Sequence, residues 1–266
     1  MDAPGGKEHD HGKPGIVRRV RLEYVEFMAV ALQPPTKPVA VPMLENGDRL
    51  AAREFLRRYE AVADLKKAEL IDGVVYMASP VRLSEHAEPD NLVQWWLKHY
   101  SIHSPGTKSG TNATVRLGPD DVAQPDGILR VQPELGGQAR IDPRGYLQGP
   151  PELVAEVSAS SVSLDAGAKW RTYRRAGVLE YLLWRTEDGA VDWWVLEEDD
   201  FRPLTPDAAG VLRSRRFPGL WLDLPALLAD DGRRLLATLE AGLRDPEHRA
   251  FVAELERKLT APGPTS

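Results

Sequence analysis

The stretch from Gly149 to Arg185, GPPELVAEVSASSVSLDAGAKWRTYRRAGVLEYLLWR, decides the fold. Its first part, ELVAEVS, is an apolar run of strand length. Its middle, LDAGAKWRTYRRAG, reads as a helix that Asp165 can cap and Gly177 can end. Its last part, LEYLLWR, is a second apolar strand. One residue stands out of pattern. Glu156 sits among Leu153, Val154, Ala155 and Val157, and burying an ionised carboxylate without a partner costs several kcal/mol or forces it neutral. Either a cation waits beside Glu156, or it lies on a solvated face of the strand.

Upstream, GDRLAAREFLRRYEAVADLK carries apolar residues at helical spacing. KKAELIDGVVYMAS reads as a hairpin, because Asp72-Gly73 between alternating apolar residues is a strong turn signal. SEHAEPDNLVQWWLKHYSIHS reads as a second helix that Pro89 starts or interrupts. GTNATVRLGPDDVAQPDGILRV reads as two strands joined at GPDD. Downstream, AVDWWVLEE, FRPLTP and VLRSRRF read as successive short strands, and RRLLATLEAGLRDPEHRAFVAELERKL as helix, turn, helix. The expected class is α/β in the mixed α+β sense, with one central mixed sheet flanked by helices. Residues 1–48, rich in Pro, Gly and charge, are expected to be a disordered or extended tail. Within them VRRVRLEYVEFMAVAL reads as a short helix or strand, and His9 and His11 read as tail residues rather than metal ligands. Residues 49–228 form the expected main domain, and 229–266 a C-terminal helical extension.

With 266 residues, 42% of them hydrophobic and 28% charged, the chain can bury a sizeable core. It has no cysteine, which excludes disulfides, thiolate zinc sites and thiol nucleophiles. It shows no apolar run of about eighteen residues, so no spanning helix is expected. MDAPGGKEHDHGKPG lacks the apolar segment of a secretory signal, and a cytoplasmic location is the default expectation. A net charge of −6 argues against a generic nucleic-acid coat protein, which would be strongly basic, but not against an enzyme with a local basic patch. No nucleotide-binding glycine motif is present.

Four residues carry the candidate chemistry. Glu69 opens ELIDG, Asp126 lies in QPDGILRV, Glu156 lies in the strand, and Lys169 lies early in the following helix, with Tyr173 one turn on along the same face. Carboxylate oxygens suit a hard cation such as Mg²⁺, with Mn²⁺ as a substitute. Such an ion polarises a phosphoryl oxygen and lowers the pKa of a bound water. A lysine beside it holds the attacking water or offsets developing charge. The set fits metal-assisted phosphodiester hydrolysis. Taken singly, Asp126 also reads as a turn residue, Glu69 as a strand-edge charge and Lys169 as a solvated helix lysine. Glu156 is the least easily explained away, since its neighbours on both sides are apolar. Lesser candidates are His86 as a donor to phosphate, and Arg171, Arg174 and Arg175 as a basic strip. The tandem tryptophans 95–96 and 193–194 read as one core and one surface residue each.

These segments resemble a known family. Pro125-Asp126, EVSASS from Glu156, and DAGAKWRTYRRAGVLEYLLW are similar to the Uma-two family of restriction endonucleases, within the PD-(D/E)xK nuclease superfamily. The helix–strand match runs through Asp165, Gly167, Lys169, Tyr173, Ala176, Gly177, Val178, Glu180 and Tyr181. ELIDGVVYMASP, with Glu69, SEHAEPDNLV, with His86, and FPGLWLDLPALL extend the resemblance over roughly residues 50 to 228. It implies a restriction-endonuclease-like core that uses Mg²⁺ to cut DNA, with RNA an open alternative. Asp126 and Glu156 would be metal ligands, Glu69 the accessory acid and third ligand, and Lys169 the catalytic lysine. The superfamily's usual lysine position, two residues after the acid, is Ser158 here, so the lysine would come from the helix. Cutting two strands would suit a homodimer. The competing expectation is a catalytically inactive nuclease-fold module that binds nucleic acid or a protein partner. The acidic charge motivates it, and the complete acid-and-lysine set argues against it.

Overall fold

The computed structural model describes Met1, residues 41–65 and residues 67–260. The chain divides into two units, Met1–Val41 and Pro42–Ser266, and every described element belongs to the second. Most of the tail, with VRRVRLEYVEFMAVAL, His9 and His11, lies outside the described residues.

Helix α1 (Ala52–Glu60) buries Ala52, Phe55 and Leu56, one face at helical spacing. Strands β1 (Ala68–Ile71) and β2 (Val74–Met77) pair antiparallel across Asp72 and Gly73. Both turn residues take positive φ, 50° and 73°, as a two-residue hairpin turn of the primed type requires. A wide π-type turn (Leu83–Ala87) leads into helix α2 (Glu88–His103). Pro89 is its second residue, and because Leu83–Ala87 is already helical its missing N–H falls where the π-type turn gives way to the α-helix.

The segment expected as two strands holds four. Strand β3 (Thr107–Thr111) pairs with β6 (Gly127–Val131), while β4 (Val115–Arg116) and β5 (Val122–Ala123) form the GPDD hairpin between them. Asn112, at φ 48°, turns the chain out of β3, and Pro125, which has no N–H to give a ladder, separates β5 from β6. Strands β7 (Arg140–Ile141) and β8 (Leu147–Gln148) follow. Then come β9 (Leu153–Ser158), a second π-type turn (Leu164–Lys169), helix α3 (Trp170–Ala176) and β10 (Glu180–Arg185). Gly177 ends α3 in the left-handed conformation, as expected. Asp165 is not a cap. It lies inside the turn and accepts a hydrogen bond from Ser161 Oγ at 2.5 Å. The chain closes with β11 (Ala190–Glu197), β12 (Asp200–Pro203), β13 (Val211–Arg213), β14 (Trp221–Asp223), α4 (Leu224–Leu228), α5 (Gly232–Leu243) and α6 (Pro246–Thr260).

The mixed α/β class holds, but the strands divide among three sheets rather than one. One six-stranded sheet runs β2-β1-β5-β4-β8-β7, another runs β12-β11-β10-β9-β6-β3, and β13-β14 stand as a pair. In the second six-stranded sheet β9 is central, parallel to β10 and antiparallel to β6. Its Leu153, Ala155 and Val157 enter a core shared with Trp96, Leu97 and Tyr100 of α2 and with Leu235, Leu239 and Leu255 of α5 and α6. Its Val154 enters a second core with Tyr173, Tyr181 and Leu183. Alternation therefore puts Glu156 on the side of α3. Each tryptophan pair splits as expected: Trp96 and Trp193 meet edge-to-face in the core at 5.7 Å, while Trp95 and Trp194 are partly exposed. Among the described residues, no helix is long and apolar enough to cross a membrane.

Candidate active site

Strand register builds the first half of the site. Gly127 of β6 lies opposite Ala155 of β9, which brings Asp126 beside Glu156. Asp126 Oδ2 accepts the Val157 N–H at 3.0 Å, and the Asp126 N–H lies 3.4 Å from Glu156 Oε2. Helix α2 holds this corner from behind, where Gln94 Nε2 donates to the Asp126 carbonyl at 2.7 Å. The glycine after Asp126 makes that approach feasible, because a Cβ on Gly127 would lie 3.0 Å from Gln94 Nε2 and from Leu97 Cδ1.

The other half comes from β1 and the second π-type turn. Glu69 Oε1 accepts the Gln124 N–H at 2.7 Å. Lys169, the last residue of the turn, puts its Nζ 2.6 Å from Glu156 Oε1, 3.1 Å from Glu69 Oε1 and 3.4 Å from Asp165 Oδ1. Tyr173 donates its hydroxyl to Glu156 Oε1 at 2.6 Å. The four residues singled out in the sequence thus converge from four segments of the chain. Glu156 is 2% exposed, and the cation beside it is Lys169. Ser158 is buried and meets Ser161 Oγ at 3.1 Å, and the lysine beside Glu156, Lys169, enters from the helical segment.

One participant was missed, and two named residues were given no role in the site. Lys67 puts its Nζ 2.9 Å from Asp126 Oδ1, and Asp165 and Tyr173 bind Lys169 and Glu156 as described. Period-two alternation could have found Lys67, two residues before Glu69 on the same side of the extended chain. The i, i+4 spacing of Asp165 and Lys169 was the signal for the second. His86 lies in the site as well, its Nε2 3.8 Å from Asp126 Oδ1. All of these side chains except Tyr173 line an open cleft of about 680 Å³. Two arginines of the basic strip are engaged elsewhere, while Arg171 is exposed. Arg174 pairs with Asp200 at 3.0 Å, and Arg175 pairs with Asp72 at 2.7 Å and Asp121 at 2.8 Å. Asp121 also accepts from Thr172 Oγ1 at 3.2 Å and from the Asp72 N–H at 2.9 Å, which ties the β1–β2 turn to α3.

The carboxylates of Glu69, Asp126, Glu156 and Asp165 face two ammonium groups, Lys67 and Lys169. Burial, aided by Asp126, Asp165 and Glu69, pushes the Glu156 carboxyl above its usual range against the pull of Lys169. Burial alone would lower Lys169, but Glu156 and Glu69 override it and hold the ammonium well above the ordinary lysine value. Burial would likewise raise Asp126, but Lys67 and Lys169 hold it below the usual carboxylate range. Among the described residues, no group of three acids or histidines is arranged to hold a metal ion as it stands. The donor chemistry nevertheless fits a hard divalent cation, since adjacent buried carboxylates outnumber the cations that serve them. Asp126 and Glu156 are linked through the Asp126 backbone N–H, 3.4 Å from Glu156 Oε2, and both acids line the cleft.

The model of the Uma2 family, described as "Putative restriction endonuclease", matches residues 52–225. A solved structure described as "a putative nuclease belonging to DUF820 from Anabaena variabilis ATCC 29413" is similar in fold, with a TM-score of 0.52 at 13% identity over 68% of this chain and 98% of that one. No curated protein matches the chain. The family model takes in β1 with Glu69, the Asp126 corner, β9 with Glu156 and the turn with Lys169, and it spans well over half of the sequence: the chain belongs to the Uma2 family.

Proposed function

We propose that the protein is a Mg²⁺-dependent endonuclease that hydrolyses phosphodiester bonds in DNA. The observation that supports this reading is the convergence of Glu69, Asp126, Glu156 and Lys169 on one cleft, with Lys169 Nζ 2.6 Å from Glu156 and 3.1 Å from Glu69. Asp126 and Glu156 would hold the ion, with Glu69 as the third acid. Once bound, it would supply Lewis-acid polarisation of the phosphoryl oxygen and a more acidic water. The remaining work falls to the protein. Lys169 offsets negative charge as the phosphorus gains a fifth oxygen, and it orients the attacking water. Tyr173 fixes Glu156 by its hydrogen bond, and the Val157 N–H fixes Asp126. A second reading, an inactive nuclease-fold module that binds nucleic acid or a protein, draws on one observation. The two lysines already pair with the acids without an added ion.

Nicking of supercoiled plasmid separates the two. The enzyme reading expects cleavage with Mg²⁺ or Mn²⁺, abolished by a chelator and reduced at least ~100-fold in Asp126→Asn and Glu156→Gln. Cleavage at wild-type rate in both variants would refute the site assignment. Binding of DNA with no cleavage under either metal would favour the inactive module. An RNA of matching sequence, run in parallel, sorts DNA from RNA as substrate.

A further inference from the structure

The mechanism above leaves Lys67 without a task, and its position is unusual. Lys169 meets the cleft with its side chain only 3% exposed, whereas the Lys67 side chain is 28% exposed and lines the same cleft with His86. Its Nζ rests on Asp126 Oδ1 at 2.9 Å and within 3.3 Å of Asn112 Oδ1. Asp126 has one other oxygen, and that one is committed to the Val157 N–H at 3.0 Å. The Lys67 ammonium thus occupies the Asp126 oxygen that an incoming divalent cation would need.

We infer that Lys67 is a phosphate-binding residue of this cleft, parked on Asp126 until a divalent cation displaces it onto the substrate backbone. The inference rests on the metal-dependent nuclease reading. A divalent ion on Asp126 repels a neighbouring ammonium, and a four-carbon stem at a cleft wall lets that ammonium swing. The anion that enters with DNA is a phosphodiester, which lysine binds as a point charge. Substrate would in turn draw Lys67 off Asp126 and free Oδ1 for the ion. Cation and DNA should therefore tighten one another's binding, by the same factor in each direction. A merely structural Lys67–Asp126 ion pair adds nothing to the coupling that the ion–phosphate contact itself supplies.

The test is calorimetric titration of Mg²⁺ into wild type, Lys67→Met and Lys67→Arg. Each is titrated alone and with a short DNA duplex whose phosphorothioate linkages slow turnover. Without DNA, Lys67→Met should bind Mg²⁺ more tightly than wild type, by about 5-fold or more, because the competing charge is gone. The duplex should tighten Mg²⁺ binding more in wild type and Lys67→Arg than in Lys67→Met, where only the direct ion–phosphate contact is left to couple them, and KM for plasmid should rise on the order of 10-fold in Lys67→Met. Thermal melts check that each variant is folded, and Lys67→Arg keeps the charge if the methionine variant is not. Unchanged Mg²⁺ affinity, coupling and KM in a Lys67→Met protein that still cleaves would overturn the role of Lys67 and leave the nuclease reading intact. A wild type that binds neither Mg²⁺ nor the duplex would overturn both.

Discussion

At the scale of single residues, the account turns on Glu156. Its pattern was visible in the sequence as a carboxylate among Val154, Ala155 and Val157, and its partner Lys169 was named with it. What the sequence could not supply was distance. The i, i+4 spacings put Asp165, Lys169 and Tyr173 on one face, but nothing in them said that Tyr173 would bond the Glu156 oxygen that Lys169 meets, or that Asp165 would bind Ser161 as well as Lys169. Those facts depend on how the turn before α3 is wound. The cluster has energetic consequences. Lys169→Met leaves Glu156 buried without its cation and should cost roughly 3–5 kcal/mol of stability. Combining Lys169→Met with Glu156→Gln should recover part of that loss, and denaturant unfolding of both single variants and the double one measures the coupling. Additive losses would contradict the pairing. Tyr173→Phe removes one donor to a buried charged acceptor and should cost about 1.5–3 kcal/mol in the same assay.

At the scale of elements, local chemistry was legible wherever it was strong. Asp72-Gly73 announced the β1–β2 hairpin, Gly177 the end of α3, and the apolar run 153–157 the strand β9. The β4–β5 hairpin was legible as a turn but not as a member of another sheet. Its strands are two residues each, and the partners that decide their sheet, β1 and β8, are distant in sequence. The two π-type turns were read simply as helix. They matter because each ends at a site element: Leu83–Ala87 carries His86, and Leu164–Lys169 carries Lys169. Helix α6 is anchored by His248, whose Nδ1 donates to the Leu243 carbonyl at 2.8 Å while Nε2 accepts from Ser104 Oγ at 2.9 Å. Burial pulls this histidine below its ordinary value of 6.5. A depressed pKa contributes stability that is full above the unfolded value and is lost as pH falls through the folded one. The melting temperature should therefore drop between about pH 7.5 and pH 5.5, and drop less in His248→Gln. Parallel curves for the two proteins would count against this anchor.

At the scale of the whole molecule, the class and the match across 52–225 were legible, while the division into separate sheets was not, since alternation reports a strand and never its sheet. The site depends on that division, because Glu69 comes from one six-stranded sheet and Glu156 from the other. Asp121 is one tie between them, binding the β1–β2 turn, Thr172 and Arg175. Asp121→Ala should lower both melting temperature and cleavage rate while Asp121→Asn retains part of each, a comparison read from melts and initial rates. The last helices also belong to the fold's energetics. Leu235, Leu239 and Leu255 pack into the core that holds Trp96 and Leu153, so a chain ended at Asp230 should lose cooperative unfolding by circular dichroism. The most direct test of the central claim is a Mg²⁺ titration of wild type against Asp126→Asn/Glu156→Gln. The account predicts a divalent-cation site in the first protein that is gone from the second. Equal binding in both, or binding in neither, would contradict it.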